Sequence, residues 1–481
     1  LRRGDRVGIF LNKRIEFVIA SFGTALAGGV FVPINPGLRS AQVFHILSDC
    51  SVSFLVTTPE RLGLLKDFES SCSSVRAVIL TDIEGELPVL KTDVLPWAEF
   101  SSQGGSSWGT SGFDRHLDSD MVAILYTSGS TGRPKGVILS HRNMVVGAKS
   151  VAQYLGNTKD DVILAALPFS FDAGFSQMTT AFSVGARVVL LDYLLPNEFQ
   201  DAVIHFGVTG ITAVPPLWIQ VSDLKWPQDG SIRLRYFANT GGRVPLEMLS
   251  SLRAHVPRAN PYLMYGLTEA FRATYLPPAE VDRRPDSIGR AIPNTEVLVL
   301  RENGEVCADD EPGELVQRGA LVAMGYWNNP EATAERFRRP LLGLPSWPKE
   351  VVIPEVAVFS GDIVRRDREG FLYFIGRRDE MIKTSGYRVS PTEVEEMLYQ
   401  IEGVLECAVF GRAHEALGQT IVAVVYLKRE VSLEEASLVK ECRRSLPAYM
   451  VPSRVHLHDV PLPRNPNGKI DRKHLAEHYG Y

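Results

Sequence analysis

Closely spaced cysteines and long apolar segments are both missing from this sequence of 481 residues. The five cysteines are scattered, odd in number and never in CxxC spacing: Cys50, Cys72, Cys307, Cys407 and Cys442. This pattern favours neither a disulfide framework nor a zinc site, and we therefore expect a cytoplasmic protein. The most apolar run, Val18 to Ile34, carries three glycines and a proline and is shorter than a membrane-spanning helix. It predicts a buried helix followed by a strand.

A large excess of charge is missing as well. The formal net charge is -5, so nucleic acids are not expected partners. With 45% hydrophobic and 22% charged residues, the composition is that of a globular protein, and the length predicts at least two domains. Leu1 is not a natural start and leads directly into a strand pattern, so we expect that some N-terminal sequence precedes it.

What the sequence does contain is an alternation of apolar, β-branched runs with helical patterns. Runs such as "RVGIFL" and "VSFLVTT" alternate with patterns such as "IEFVIASFGTALAGG" and "SAQVFHILSDC". This alternation predicts an α/β fold with largely parallel sheets. After about Ser287, strand patterns separated by charged turns predict a smaller subdomain with antiparallel strands.

A second change of pattern occurs near Arg377, where a strand, a glycine-containing turn and a helix with Pro391 in its first turn follow one another. We place a domain boundary there. Residues 1–376 form a large N-terminal domain, and residues 377–481 form a small α+β domain. Within the small domain the sequence predicts a helix at 391–400, strands near 406–411 and 421–427, and a helix at 433–445.

The segment "YTSGSTGRPKGV", from Tyr126 to Val137, combines three glycines with several hydroxyl side chains and a lysine. Such a loop can bring backbone N–H groups and hydroxyls close to phosphate oxygens. It is not a Walker loop, because Pro134 stands between Gly132 and Lys135. The surrounding pattern predicts strand, loop, strand and a helix capped at Ser140. Taken alone, the loop could equally be a surface linker.

Four further motifs follow in order along the chain: "YFANTGGRV" (236–244), "MYGLTEA" (264–270), "VFSGDIVRRDREGFLYFIGRRDEMIKTSGYR" (358–388) and "PRNPNGKIDR" (463–472). With these motifs the chain resembles, over essentially its whole length, the adenylate-forming superfamily of acyl-CoA synthetases, adenylation domains of peptide synthetases, and luciferases. Two segments look most like the AMP-forming ligases of bacterial exosortase A gene clusters: "LPFSFDAGFSQMTTAFSVGARVVLLDYLLP" and "DEMIKTSGYRVSPTEVEE".

The resemblance implies a two-step reaction. A carboxylate is a poor acylating agent, so the family first joins it to the α-phosphorus of ATP and expels pyrophosphate. The acyl-adenylate then reacts with the pantetheine thiol of CoA or of a separate carrier protein. It also implies a large N-terminal domain followed by a small, mobile C-terminal domain.

The resemblance assigns a nucleotide site and a magnesium ion. Tyr265 would stack on adenine, Thr268 would donate to the α-phosphate, Glu269 would hold Mg²⁺, Asp362 would accept the ribose hydroxyls, and Arg377 would support the sugar or a phosphate. The β- and γ-phosphates would be held by Thr127, Ser128, Gly129, Ser130, Thr131, Gly132 and Lys135. Gly241, Gly242 and Gly266 would supply backbone beside the adenine.

Two positions in the C-terminal part are assigned in the same way. Lys469 matches the lysine that offsets charge building up between the carboxylate and the α-phosphate, although a lysine in "NPNGKIDR" could also be a solvated surface residue. Asp379 matches the hinge about which family members rotate the small domain between the two half-reactions.

Asp172, in "FSFDAGFSQ", bears on the class of acid. In relatives that activate amino acids, the matching aspartate accepts the substrate's ammonium, and this favours an amino acid. The alternative is that Asp172 pairs with Arg272 around an acid of another kind. Arg272, which also aligns with a pocket-lining position, could equally bind an acidic side chain of the substrate. By resemblance, the rest of the pocket is lined by Ala173, Ser176, Trp218, Asn239 and Met264, although Trp218 could also be a core residue.

Three other functions stay open. The chain could be a fatty- or aryl-acid CoA ligase on the same scaffold, a luciferase-like oxygenase that consumes O₂, or a non-catalytic AMP-binding regulator. The presence of Thr268, Glu269, Asp362 and Lys469 together argues against a mere binder.

Overall fold

The computed structural model describes most of the chain. The described residues are 1–83, 85–102, 116–127, 134–222, 224–242, 244, 246–339, 355–378, 380–384, 387–414, 417–428, 431–465 and 468–479. Within them the strands form sheets of eight, twelve and five members. The predicted α/β class is confirmed.

The described strands are, in chain order, β1 (Arg6–Phe10), β2 (Val30–Pro33), β3 (Phe54–Thr57), β4 (Ala77–Leu80), β5 (Asp93–Pro96), β6 (Met121–Thr127), β7 (Lys135–Ser140), β8 (Val162–Ala165), β9 (Arg187–Leu190), β10 (Gly210–Ala213), β11 (Tyr236–Asn239), β12 (Asn260–Tyr265), β13 (Thr274–Leu276), β14 (Ser287–Ala291), β15 (Thr295–Leu300), β16 (Gly313–Gly319), β17 (Gly325–Tyr326), β18 (Phe337–Arg338), β19 (Ala357–Arg366), β20 (Leu372–Arg377), β21 (Ile382–Thr384), β22 (Tyr387–Val389), β23 (Val404–His414), β24 (Gly418–Leu427) and β25 (Arg454–Leu457).

The described helices are α1 (Ile15–Leu26), α2 (Ser40–Asp49), α3 (Pro59–Leu64), α4 (Phe68–Ser71), α5 (Trp97–Ser102), α6 (His141–Leu155), α7 (Asp172–Ser183), α8 (Pro196–His205), α9 (Pro215–Ser222), α10 (Leu246–His255), α11 (Pro330–Arg336), α12 (Pro391–Tyr399), α13 (Glu435–Ser445) and α14 (Arg472–Tyr479). None of the helices in the described part of the chain is long and apolar enough to cross a membrane.

The first sheet has the strand order β17-β7-β6-β2-β1-β3-β4-β5. Its strands from β6 to β5 pair in parallel, whereas β6 and β7 form an antiparallel pair. The predicted order of strand, loop, strand and helix is confirmed here, because the Ser140 hydroxyl accepts a hydrogen bond from the Asn143 N–H and caps α6.

The second sheet has the order β15-β16-β19-β20-β14-β13-β12-β11-β10-β8-β9, with β18 paired to β19. Strands β8, β10, β11 and β12 are mutually parallel, so their carboxyl ends meet at one edge, where ligands bind in open α/β sheets. The buried Gln177 of α7 fixes this edge. Its amide donates to the carbonyls of Leu164 and Thr212 at 2.8 and 3.0 Å.

The antiparallel strands predicted after Ser287 are present, but they do not form a sheet of their own. Strand β14 pairs with β13 on one side and with β20 on the other, so the antiparallel part continues the parallel sheet. Asp362 on β19 and Arg377 on β20, the candidates for the ribose site, therefore belong to the same sheet as β12, whose last residue is Tyr265.

The C-terminal unit is a sheet of β22, β21, β24 and β23, with β25 paired to β24, and it carries α12, α13 and α14. The predicted helices are confirmed as Pro391–Tyr399 and Glu435–Ser445. The two predicted strands are longer than expected, because β23 and β24 pair along their full lengths as an antiparallel ribbon. The boundary proposed at Arg377 falls on the last residue of β20.

Candidate active site

Tyr265, Asp362 and Arg377 meet at the edge of the second sheet. The Tyr265 hydroxyl donates to Asp362 Oδ2, and Arg377 Nη1 donates to Asp362 Oδ1 at 2.9 Å. Strand pairing brings them together, since Asp362 lies opposite Arg377 in the β19–β20 pair. Three residues that the sequence assigned to the nucleotide therefore form one hydrogen-bonded group.

Burial raises the pKa of the Asp362 carboxyl above its ordinary value, and the cationic side chains of Arg377, Arg336 and Lys469 oppose the rise, as does the Tyr265 hydroxyl. Burial and the neighbouring Asp362 also hold the pKa of Tyr265 well above its ordinary range, so this phenol stays a neutral donor. Lys469 belongs to the C-terminal unit, so a charge from that unit acts on the nucleotide candidate Asp362.

Lys469 itself is exposed and sits in a loop that two ion pairs hold in place. Arg464 forms an ion pair with the buried Glu406, and Arg472 donates to the buried Glu395 at 2.7 Å. Both arginines belong to the same "PRNPNGKIDR" segment as the lysine. The loop is thus anchored on either side of Lys469 while the lysine side chain remains accessible.

Thr268, Asp172 and Arg272 form a second group. Arg272 Nη1 donates to Asp172 Oδ2 at 2.7 Å, and Thr268 Oγ1 donates to Asp172 Oδ1 at 3.2 Å. Asp172 lies in the first turn of α7, where the helix dipole favours a negative charge. A hydroxyl has one hydrogen to donate, so Thr268 can donate to a phosphate only when its bond to Asp172 is broken.

The backbone between Tyr265 and Arg272 is tightly constrained. A Cβ on Gly266 would lie 2.7 Å from the Phe271 carbonyl oxygen and 3.0 Å from the Arg272 Cα. Phe271 has a positive φ of 62°, which is costly for a bulky residue. The buried Gln317 amide donates to the carbonyls of Ala270 and Arg272 at 3.2 and 2.8 Å and holds this turn.

Glu269, the magnesium candidate, accepts a hydrogen bond of 2.5 Å from the hydroxyl of Tyr326. The ammonium of Lys135 lies 5.4 Å from the centroid of the Tyr326 ring. Lys135 begins β7 directly opposite Thr127, which ends β6. The structure therefore brings the two described ends of the predicted phosphate loop close to the proposed metal ligand.

Tyr326 and Arg336 were not identified from the sequence. The guanidinium of Arg336 opposes the rise in the pKa of Tyr326 that burial and Glu269 cause, and it also acts on Asp362. A Cβ on Gly361 would lie 2.7 Å from Arg336 Nη1, so glycine leaves room for this side chain. The signal in the sequence was the "NPEATAER" pattern, which predicts a capped helix ending at Arg336 but not the direction in which that residue points.

The candidate pocket residues lie around the carboxyl ends of the parallel strands. Asn239 ends β11 and donates to the Gly242 carbonyl at 2.7 Å, and Gly241 has a positive φ of 76° that glycine adopts without strain. Ala173 and Ser176 lie on α7. Met264 is buried and accepts a hydrogen bond from the Tyr154 hydroxyl. Trp218 is buried against Phe237 within a hydrophobic core, with ring centroids 5.6 Å apart.

Several predicted site residues lie outside the described part of the chain. They are Ser128, Gly129, Ser130, Thr131 and Gly132 of the phosphate loop and the hinge candidate Asp379.

Family models match both parts of the chain. The model described as AMP-binding enzyme matches residues 1–327, and the model described as AMP-binding enzyme C-terminal domain matches residues 393–469. Together they cover the segments that carry the two halves of the candidate site.

Individual relatives match along nearly the whole chain. The long-chain-fatty-acid–CoA ligase of Escherichia coli O157:H7 is 29% identical, across 99% of this chain and 86% of its own length. Bacitracin synthase 1 of Bacillus licheniformis is 30% identical across 99% of this chain, which corresponds to 8% of that much longer protein.

Solved structures share the fold. ATP-bound MatB from Rhodopseudomonas palustris has a TM-score of 0.86 at 24% identity, covering 100% of this chain and 90% of MatB. The apo form of the same protein has a TM-score of 0.74 at 24% identity, covering 100% of this chain and 89% of MatB.

Proposed function

Because this chain belongs to the family of AMP-binding enzymes, we propose that it uses ATP to convert a carboxylic acid into an acyl-adenylate and then transfers the acyl group to a thiol. Pyrophosphate leaves in the first step and AMP in the second. The relatives named above include a fatty-acid–CoA ligase and a bacitracin synthase. Both are consistent with this pair of reactions.

The observation that carries the proposal is a buried carboxylate that is hydrogen-bonded to two of the nucleotide candidates and feels the charge of a lysine from the C-terminal unit. Asp362 is bonded to Tyr265 and Arg377 and lies within electrostatic reach of Lys469. A carboxylate that can accept two ribose hydroxyls, bonded to an aromatic side chain and under the influence of an exposed lysine, suits a nucleotide whose phosphate is the site of reaction.

The described residues fit the substrates and the metal. Tyr265 offers an aromatic ring to the adenine. The next residue is Gly266, which has no side chain to cover the backbone, and any larger residue at this position would collide with the Phe271 carbonyl. Glu269 offers one carboxylate to Mg²⁺, a metal that proteins often hold through one or two carboxylates and substrate phosphates. When bound, the metal would neutralise phosphate charge.

The chain's own groups would then act on the developing charge. Thr268 would exchange its bond to Asp172 for one to the α-phosphate, and Lys469 would stabilise the negative charge shared between the attacking carboxylate and the phosphate. Donors aimed at a transition state are worth about 3–4 kcal/mol each when one of them is removed.

The acceptor thiol and the location are finer proposals. We propose CoA as the acceptor, with a separate carrier protein as the alternative, in line with the resemblance to peptide synthetases and the bacitracin synthase relative. We also propose that the enzyme works in the cytoplasm, which agrees with five cysteines that are all buried and free.

The test is the variant Lys469→Ala. We expect it to lower acid-dependent ATP–pyrophosphate exchange by roughly a hundredfold to a thousandfold, while thioester formation from a supplied acyl-adenylate continues at nearly the wild-type rate. Lys473→Ala is the matched control, because Lys473 is an exposed lysine four residues further along the same domain.

Retention of exchange in the Lys469 variant would remove this residue from the first step. Failure of the wild-type protein to exchange pyrophosphate with any carboxylic acid would overturn the proposed function itself.

A further inference from the structure

We propose that the acid activated by this enzyme carries no α-ammonium group, because Arg272 already occupies the cation position beside Asp172. The inference rests on the proposed function and names the substrate class of the same site. The sequence left two interpretations of Asp172 open, and the geometry favours the internal pair.

Both carboxylate oxygens of Asp172 have partners within the protein. Oδ2 accepts from Arg272 at 2.7 Å and Oδ1 accepts from Thr268 at 3.2 Å. The side chain of Arg272 is 3% exposed and that of Asp172 is 15% exposed. The pair is therefore largely removed from water. Opposite charges attract each other more strongly in the protein interior, because the dielectric constant there is lower than in water.

Arg272 is held in this position by its backbone as well as by Asp172. Its Nη1 also donates to the Phe271 carbonyl at 3.0 Å, and its own carbonyl accepts from Gln317 at 2.8 Å. Phe271, the preceding residue, has a positive φ and is itself buried. Moving the guanidinium away from Asp172 would disturb a packed turn.

A substrate ammonium beside Asp172 would have to share this carboxylate with the guanidinium. Two cations would then face one anion at low dielectric, and the repulsion between them would oppose binding. The ion pair of Asp172 and Arg272 has no net charge, and an acid without an amine can bind beside it without disturbing it.

The other candidate pocket residues support an uncharged acyl chain. Ala173, Ser176, Trp218, Asn239 and Met264 contribute no formal charge. A cationic substrate group would thus gain no compensating partner from these side chains, and its desolvation would cost free energy.

The experiment measures ATP–pyrophosphate exchange with matched pairs of acids, each pair consisting of an amino acid and the same acid without its amine. Suitable pairs are phenylalanine with 3-phenylpropanoate, leucine with 4-methylpentanoate, and alanine with propanoate. For the wild type we expect kcat/KM to favour the amine-free member by roughly a hundredfold or more.

The variant Arg272→Met tests the cause of the preference. It leaves Asp172 without its cation, so we expect the ratio of kcat/KM within each pair to shift toward the amino acid by about tenfold or more. Arg272→Lys keeps a cation there and should retain the wild-type preference. Arg290→Met, at an exposed arginine of β14, is the control, and thermal unfolding checks that each variant is folded.

The outcomes separate the two claims. Exchange that favours the amino acids in the wild type would overturn this inference and leave the proposed function intact. An unchanged ratio in a folded Arg272→Met variant would also overturn it. Absence of exchange with every acid of both kinds would instead count against the proposed function.

Discussion

At the scale of single residues, Asp362 is a buried carboxylate whose partners come from three parts of the chain. Tyr265 ends β12, Arg377 ends β20, and Lys469 belongs to the C-terminal unit. Burial opposes ionisation of Asp362, and the neighbouring cations favour it. The direction of its pKa shift therefore predicts how nucleoside binding depends on pH.

Because burial raises the pKa of Asp362, this carboxyl becomes protonated at a higher pH than an exposed aspartate as the pH falls. A protonated carboxyl is a weaker acceptor for two ribose hydroxyls. We expect the affinity for adenosine to decrease as the pH falls from neutrality through the raised pKa. Adenosine is the probe because it lacks a phosphate that would titrate, and calorimetry measures the dissociation constant.

Asp362→Asn is the control for this pH dependence. The amide does not titrate, so the variant should bind adenosine more weakly at neutral pH and with little further change in acid. A wild-type affinity that stays constant over the same interval would show that Asp362 does not accept the ribose hydroxyls.

The residue scale also shows what the sequence could not determine. The motifs placed Asp172 and Arg272 in one pocket, yet these residues are separated by 100 positions. Whether Arg272 reaches Asp172 depends on the turn at Phe271. The positive φ of this residue cannot be predicted from the sequence, because phenylalanine rarely adopts it. The sequence could therefore offer the Asp172–Arg272 pair as one of two alternatives but could not decide between them.

At the scale of elements, α11 is a short helix that brings a charge to the site. The Asn329 side chain accepts from the Ala332 N–H at 3.0 Å and Pro330 occupies the first turn, so the start of the helix is well defined. Its last residue is Arg336, whose guanidinium acts on both Tyr326 and Asp362. The helix thus ends in one cation that acts both on the ribose candidate and on Tyr326, the hydrogen-bond partner of the metal candidate Glu269.

We expect Arg336→Ala to weaken the binding of ATP, because a charged donor would be lost near the phosphates. Hydrogen bonds to charged groups contribute about 1.5–3 kcal/mol, which corresponds to roughly a tenfold to hundredfold rise in the dissociation constant. Arg336→Lys should recover part of the affinity. Isothermal calorimetry with a non-hydrolysable ATP analogue provides the measurement.

The matched control is Arg338→Ala. Arg338 lies two residues further on in β18, is exposed, and stacks on Phe359 at 3.8 Å from the ring centroid. Equal losses of ATP affinity in the two variants would indicate a general effect of removing an arginine from this region, and Arg336 would then have no particular role at the site.

Element boundaries show where pattern reasoning succeeds. The helix predicted at 391–400 is observed as Pro391–Tyr399, because Ser390 caps it and Pro391 fixes its first turn. Strands β23 and β24 extend beyond their predicted ends. The extra residues at the hairpin end, 412–414 and 418–420, are polar or small, and it is the partner strand rather than their own pattern that keeps them extended.

At the scale of the whole molecule, the two parts of the chain are arranged so that the charge of Lys469 acts on Asp362. The TM-score is 0.86 with ATP-bound MatB and 0.74 with apo MatB, so the overall arrangement is closer to the former. The sequence could predict that the lysine must approach the nucleotide. It could not predict this arrangement, because the motifs would be the same in any orientation of the two parts.

The contacts beside the proposed boundary define this orientation. Ser390 donates to the Ile375 carbonyl across the boundary, and Arg378 pairs with Glu314 at 3.0 Å. Within the small domain, Arg472, three residues beyond Lys469, contacts Glu380 at 3.4 Å. A rotation of the small domain about the proposed hinge would break the bond between Ser390 and Ile375 and carry Lys469 away from Asp362.

Asp379→Pro tests whether such a rotation is needed for the second step. Proline fixes φ and restricts the residue before it, so the variant should limit the backbone changes that a hinge must absorb. We expect acid-dependent pyrophosphate exchange within about twofold of the wild-type rate, together with loss of most thioester formation, measured by mass spectrometry of the acyl-CoA product. Lys383→Ala, at an exposed residue four positions beyond the hinge candidate and without the restriction of φ, should keep both activities. Loss of both activities in Asp379→Pro would mean that this position supports the structure used in the first step, and the rotation would then need a different hinge.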